Sequence, residues 1–236
     1  MDIQNHEKTL EKNLIVSYIA GFILLNITYL VFFIVLSEDI LENSTFNTLT
    51  QVAYYGILTY YLTNLARHYL FVEERKKLKN DPKYFIGMII AGFFLMFAVN
   101  GVIGLLLQNV GYTDTSINQE QLENLARSGP FQFLGIAFIA IICAPIVEEL
   151  VFRKGVFGIF ERKFNVVAAI FLSAFFFGFI HLLLEPTNIL GLLPYLAMGI
   201  VLGFIYFLSG KNIYVPIIIH ALWNILAISF IFIGTL

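Results

Sequence analysis

Charge is scarce in this chain. Asp, Glu, Lys and Arg make up 13% of its 236 residues, where a soluble domain of this size carries about 25%. Cysteine is nearly absent as well. Cys143 stands alone, so no intrachain disulfide can form and the redox compartment cannot be read from it. No long polar segment exists, which excludes a separate soluble domain or an extended linker. No small-residue cleavage site follows the first apolar run, so that run is read as a retained span rather than a signal peptide. The net charge of −2 matters less than where the charges cluster, and no nucleic-acid partner is expected.

What is present is apolar. Hydrophobic residues make up 59% of the chain and the mean hydropathy is +0.83. A bilayer span needs about 20 mostly apolar residues. On that measure the chain reads as an all-α, polytopic integral membrane bundle of about seven spans, with six to eight as the range. They fall near 14–36, 46–71, 84–107, 131–151 with an extension to 160, 164–184, 189–208 and 214–233. The whole chain, 1–236, is one transmembrane domain. Residues 1–129 form three N-terminal spans and an outer loop, and a short helix is expected at 118–127.

Lysine and arginine orient these spans. With the N-terminus in the cytoplasm, thirteen of fourteen Lys and Arg lie inside and Arg127 alone lies outside, a strong positive-inside pattern. The basic stretch at 74–83 is a cytoplasmic loop suited to anionic headgroups. Gly199 and Gly203 are spaced for close helix packing.

The spans hold few ionisable groups, each costing at least ~2.5 kcal/mol to insert, and each is a functional candidate by default. They are Glu148, Glu149, Arg153, His181 and His220. All four aspartates (Asp2, Asp39, Asp81, Asp114) lie elsewhere. Glu149 and Arg153 are i,i+4 and can pair on one helix face. Glu148 is rotated about 100° away and stays available. Pro145 removes a backbone hydrogen bond and favours a kink beside the glutamates. Phe177 lies four residues before His181, and His220 shares a face with Asn224 four residues on. Taken singly, each group has a bland reading as packing, interhelical glue or an interfacial charge. Together, in a chain expected to bury no other charge, they suggest chemistry. Glu148 beside an imidazole can activate water, while His220 and Asn224 can donate to an oxyanion. The alternative is zinc held by Glu148, His181 and His220 with an open position for water.

The three motifs are EELVFR at 148–153, FGFIH at 177–181 and HALWN at 220–224. Their order and spacing resemble the CPBP family, the CAAX protease and bacteriocin-processing (Abi) intramembrane proteases related to type II CAAX prenyl endopeptidase. The resemblance covers about residues 130–230, the catalytic core. It implies a glutamate-dependent, metal-independent endopeptidase, although members are often labelled metalloproteases. Glu148 would activate the water, with His181 assisting. His220 and Asn224 would hold the oxyanion, and Glu149 and Arg153 would orient the fourth helix. It further implies a membrane-associated peptide substrate. The Phe-, Ile-, Tyr- and Asn-rich composition reads as that of a low-GC Gram-positive bacterium, with the chain in its plasma membrane, where the family is associated with bacteriocin processing or self-immunity.

Other intramembrane proteases fit less well. Aspartyl enzymes need two buried aspartates, rhomboids a G-x-S-G serine, and site-two-type enzymes H-E-x-x-H; the sequence has none of these. Two readings outside proteolysis stay open. One is a scaffold or immunity protein that binds a partner membrane protein. The other is a proton-coupled transporter, which the lack of internal repeats disfavours.

Depth poses a problem for convergence. Counted from the cytoplasmic ends at ~1.5 Å per residue, His220 lies about 10 Å deep and His181 about 25 Å. Glu148 reaches about 20 Å only if its helix runs on to Phe160. A shared pocket therefore requires a long fourth helix, a late start to the fifth, and Arg153 inside the protein.

Overall fold

The computed structural model describes residues 3–112, 124, 127–183 and 188–233. Among these residues the chain is helical and contains no strand. Seven long helices carry the fold: α1 (Ile3–Val35), α2 (Ser44–Leu65), α3 (Pro82–Asn109), α4 (Pro130–Lys163), α5 (Val166–Leu182), α6 (Leu192–Leu208) and α7 (Tyr214–Ile233).

Polar residues mark several helix starts. Asn43 caps α2 by accepting from the Phe46 N–H, and Asp81 caps α3 by accepting from the Tyr84 N–H. Pro82 then occupies the first turn of α3, where its missing N–H costs nothing. Asn165 caps α5 by accepting from the Ala168 N–H. That cap explains why α5 starts at Val166 rather than at Phe164, as apolarity alone suggested.

By length and composition, α1, α3, α4 and α7 can each cross a membrane. The apolar helices α5 and α6 are shorter, at 17 residues each. Helix α2 has 22 residues but is interrupted by Thr, Asn and Gln. The seven expected spans thus correspond to seven helices of unequal apolar reach. The helix expected at 118–127 lies outside the described residues except for Asn124 and Arg127, and Leu184 also lies outside them.

Two departures from the expected bounds place the site. Helix α1 begins at Ile3, because the residues read as a polar tail find partners on α4. Helix α4 continues to Lys163 without a break in helicity, and Arg153 and Lys154 are buried within it. They are not loop cations.

Packing follows the small residues. A Cβ added at Gly199 would meet the Ala174 Cα at 2.8 Å, so the glycine lets α5 and α6 pack backbone to backbone. The central core runs through Leu14, Leu62, Met96, Leu150, Phe157, Leu202 and Ile219, drawn from six of the helices. Large apolar residues from Ile19 to Val35 on α1 stay exposed on the protein surface, the surface a bilayer would cover.

Candidate active site

Helix α4 builds the site through two wide-turn stretches, Ile139–Cys143 and Leu150–Phe157, where bonding shifts from i−4 to i−5. Such π stretches recur at functional sites. The first is explained by Pro145. The Ala144 N–H reaches back five residues to the Ile139 carbonyl. In that register Pro145 would serve the Ala140 carbonyl, but it has no N–H to give. Asn224 supplies the missing donor from α7, its Nδ2 lying 2.7 Å from the Ala140 oxygen. The proline therefore does more than favour a bend: it opens an acceptor that docks α7 against α4.

One helical turn beyond, the charged groups meet. Glu149 and Arg153 have 0% exposed side chains, and Arg153 Nε lies 2.8 Å from Glu149 Oε2. The distance makes an ion pair, while the angle falls short of a hydrogen bond, and Arg153 Nη2 has no hydrogen-bond partner among the described residues. Arg153 Nη1 approaches Ser173 Oγ at 3.4 Å, and the guanidinium lies 5.3 Å from the centre of the Phe177 ring. Ser173 lies on the face of α5 that packs closely on α6, where a Cβ at Gly203 would come within 3.6 Å of its Oγ.

His220 bridges the glutamate pair. Its Nδ1 is 3.0 Å from Glu149 Oε1, and its Nε2 is 3.8 Å from Glu148 Oε2. A carboxylate can only accept, so Nδ1 carries a proton toward Glu149. Glu148 retains 15% side-chain exposure, against none for Glu149. The adjacent carboxylates thus differ: one is buried against a cation and an imidazole, the other keeps part of its surface accessible.

His181 sits apart from this pair. Its Nδ1 lies 2.9 Å from the Phe177 carbonyl one turn earlier, which leaves Nε2 as the acceptor in the neutral ring. The Phe177 ring stands between the histidines, 5.2 Å from His181 and 6.0 Å from His220. The fold therefore brings Glu148, Glu149, Arg153 and His220 into direct contact. It places Asn224 on the neighbouring turn of α7, and joins His181 to the set through Phe177 rather than through Glu148.

Among the described residues, no three His, Cys, Asp or Glu side chains are arranged to hold a metal ion. The suggested zinc ligands Glu148, His181 and His220 do not form such a group, because His181 turns toward its own helix and His220 toward Glu149.

Several residues at the site were not visible in the motifs. Tyr18 on α1 and Tyr55 on α2 lie close enough to Glu148 to feel its charge, so the first two helices help to wall the site. Tyr18 packs edge-on against Phe152, which in turn packs edge-on against Phe177. Nothing in the spacing of these tyrosines singles them out from the other ten in the chain.

The expectation that no other charge is buried fails. Glu11 and Glu74 are also buried, at the end of the bundle where the basic residues collect. Arg162 holds both oxygens of Glu11, with Nη1 at 2.6 Å from Oε1. Glu74 accepts from Lys77 at 2.6 Å and from the Ile213 N–H at 3.1 Å. Lys154 pairs with Glu7 at 3.0 Å and lies over the Tyr69 ring, while Lys211 pairs with Glu161 at 2.6 Å. Burial pushes the Glu74 carboxyl above its ordinary range.

A helical membrane bundle with paired glutamates and histidines in its core defines a class before any relative is considered. Comparison with known proteins narrows it. Residues 130–226 match the family described as type II CAAX prenyl endopeptidase Rce1-like. The chain is 34% identical over 152 residues to the membrane-embedded CAAX protease MroQ of Staphylococcus aureus (strain USA300), covering 63% of this chain and 59% of that protein. It is 32% identical over 155 residues to YdiL of Bacillus subtilis (strain 168), a candidate membrane peptidase by its name, covering 64% and 59%. It is 30% identical over 185 residues to the UPF0177 protein YvdC of Lactococcus lactis subsp. lactis (strain IL1403), covering 76% and 66%. The chain thus spans about three fifths of the length of two of these relatives and about two thirds of the third. No solved structure matches. These matches support the resemblance to the CPBP family over the C-terminal part of the chain, and the chain is a bacterial membrane protein.

Proposed function

We propose that this chain is an intramembrane endopeptidase that cleaves membrane-associated peptides with a glutamate-activated water. The observation that carries the reading is the contrast within the pair: Glu149 is fully buried between Arg153 and His220, while Glu148 keeps 15% side-chain exposure and faces His220 Nε2 at 3.8 Å. Glu148 takes a proton from water, and the resulting hydroxide adds to the scissile carbonyl carbon. The carbonyl oxygen becomes an oxyanion that accepts hydrogen bonds from the His220 and Asn224 side chains. When both its nitrogens are protonated, His220 brings the two carboxylates and Arg153 to charge neutrality, and its Nε2–H is then free to donate. The intermediate collapses as the C–N bond breaks, and the proton held by Glu148 passes to the departing amine. His181 assists through its Nε2. No step requires a metal.

The family resemblance suggests bacteriocin processing or self-immunity as the setting. Residues from the N-terminus, the 66–81 segment, the end of α4 and the 209–213 turn meet through ion pairs and hydrogen bonds at one end of the bundle. That supports placing this lysine- and arginine-rich end, and the N-terminus with it, in the cytoplasm.

The test compares membrane peptides from cells carrying the wild-type chain and Glu148→Gln at equal protein levels. A precursor that accumulates while its fragment disappears supports proteolysis, and the cut site names the substrate. Identical peptide sets, with a phenotype that persists only on deletion of the whole chain, would replace the protease with a partner-binding scaffold.

A further inference from the structure

His181 is held at one atom by its hydrogen bond to the Phe177 carbonyl. One such bond selects the tautomer but does not fix the ring plane, because the imidazole can still swing about the Nδ1–oxygen line. Tyr195 removes that freedom. Its ring stacks on the imidazole with centroids 4.0 Å apart and planes 18° apart. Of the ring contacts that His181 makes, this is the only one that is face to face among the described residues; Phe177 lies on it at a 47° tilt.

The stack is built into the helix interface. Gly178, one turn before His181, leaves no room for a side chain: a Cβ there would meet Leu192 Cδ1 at 2.8 Å and Leu196 Cδ2 at 3.2 Å. Leu192 and Leu196 flank Tyr195 in the first turns of α6, so the approach that Gly178 permits also sets the tyrosine over the imidazole. The start of α6 is anchored in turn, with Asn188 Oδ1 accepting from the Gly191 N–H at 2.9 Å and from the Tyr112 hydroxyl at 2.7 Å.

We infer that Tyr195 is a positioning residue: its ring fixes the plane of His181, which keeps Nδ1 on the Phe177 carbonyl and so holds the tautomer that presents Nε2 to the reacting water. The catalytic part of this inference rests on the protease reading, whereas the tautomer part does not. The stacking ring is what matters, so Phe should substitute and an aliphatic side chain should not.

The test uses full-length protein labelled with 15N-histidine in detergent micelles. The chain has four histidines, and His181→Asn identifies the relevant signals. In wild type and Tyr195→Phe, His181 should show a protonated Nδ1 and an unprotonated Nε2. In Tyr195→Leu its nitrogen signals should move toward an average of the two tautomers. Tyr195→Met is read instead if the leucine variant does not fold. In cells, production of the fragment that Glu148→Gln abolishes should stay within about twofold for Tyr195→Phe. For Tyr195→Leu or Met it should fall roughly tenfold or more, the scale of a misplaced catalytic group. Unchanged His181 signals in the leucine and methionine variants overturn the assignment, as does an equal loss in Tyr195→Phe. Shifted signals in a protein for which Glu148→Gln abolishes no fragment sustain the positioning role and overturn the protease reading instead.

Discussion

Two groups of buried charge in this bundle look alike on paper and differ in how far they are satisfied. At the basic end, both oxygens of Glu11 are held by Arg162, and both oxygens of Glu74 have donors. In the core, among the described residues, Glu149 Oε2 and Arg153 Nε face each other at 2.8 Å without an aligned hydrogen bond, Arg153 Nη2 has no hydrogen-bond partner, and Glu148 reaches only 3.8 Å from His220. A fully partnered buried charge fastens helices together. An incompletely partnered one keeps capacity for a proton, a water or a developing charge, at a cost in stability. The contrast separates fastening from chemistry better than burial does, since Glu149 and Glu74 are equally inaccessible.

The comparison breaks first at Glu148. Replacing it with Gln should lower cleavage by about 10²- to 10⁴-fold, the worth of a positioned general base, while the thermal unfolding midpoint in detergent stays close to wild type. A large loss of stability in this variant would mean that Glu148 is a fastener like Glu11. The next largest effect is expected at Arg153. Arg153→Met leaves Glu149 buried without its cation and should cost about 3–5 kcal/mol, read as a lower unfolding midpoint even where activity cannot be assayed. Gly199→Val tests the close packing of α5 on α6. Its side chain would push against Ala174, and the strain should cost about 1–3 kcal/mol, with activity falling because α5 carries both Ser173 and His181.

The smallest effect is a pH dependence at the basic end. Burial raises the Glu74 carboxyl above its ordinary value of 4.5, with Lys77 and the Ile213 N–H opposing. A carboxyl raised on folding favours the folded state while it is protonated, and that contribution is lost as pH rises through the folded-state value. The stability of wild type relative to Glu74→Gln should therefore decline as pH is raised from below 4.5 toward neutrality. A difference that is flat or grows over that range would show the Lys77 pairing outweighing burial.

Much of the core was legible because helix periodicity is local. The i,i+4 spacing of Glu149 and Arg153 predicts their pair, and the isolation of ionisable residues in apolar runs marks Glu148, His181 and His220. The continuation of α4 past Arg153 followed from asking how those residues could share a depth. Other contacts are set by segments far apart in sequence. Glu149 meets His220 across 71 positions, and Asn224 meets Ala140 across 84. Glu11 and Glu74 read as ordinary polar residues near span ends until the fold closes around them, because their partners, Arg162 and the Ile213 N–H, lie 151 and 139 residues away.

The sequence by itself determined that this is a helical membrane protein, which stretches are apolar, which few residues carry charge inside them, and which family its motifs resemble. All of these follow from composition and from a repeat of three to four residues along one chain. The tertiary structure alone decided which carboxylate is fully buried and which keeps accessible surface, that Pro145 exposes a carbonyl for Asn224, and that Tyr195 lies flat on His181. Those outcomes depend on where helices touch, and in this chain glycines and wide turns, rather than the motifs, set how closely they approach.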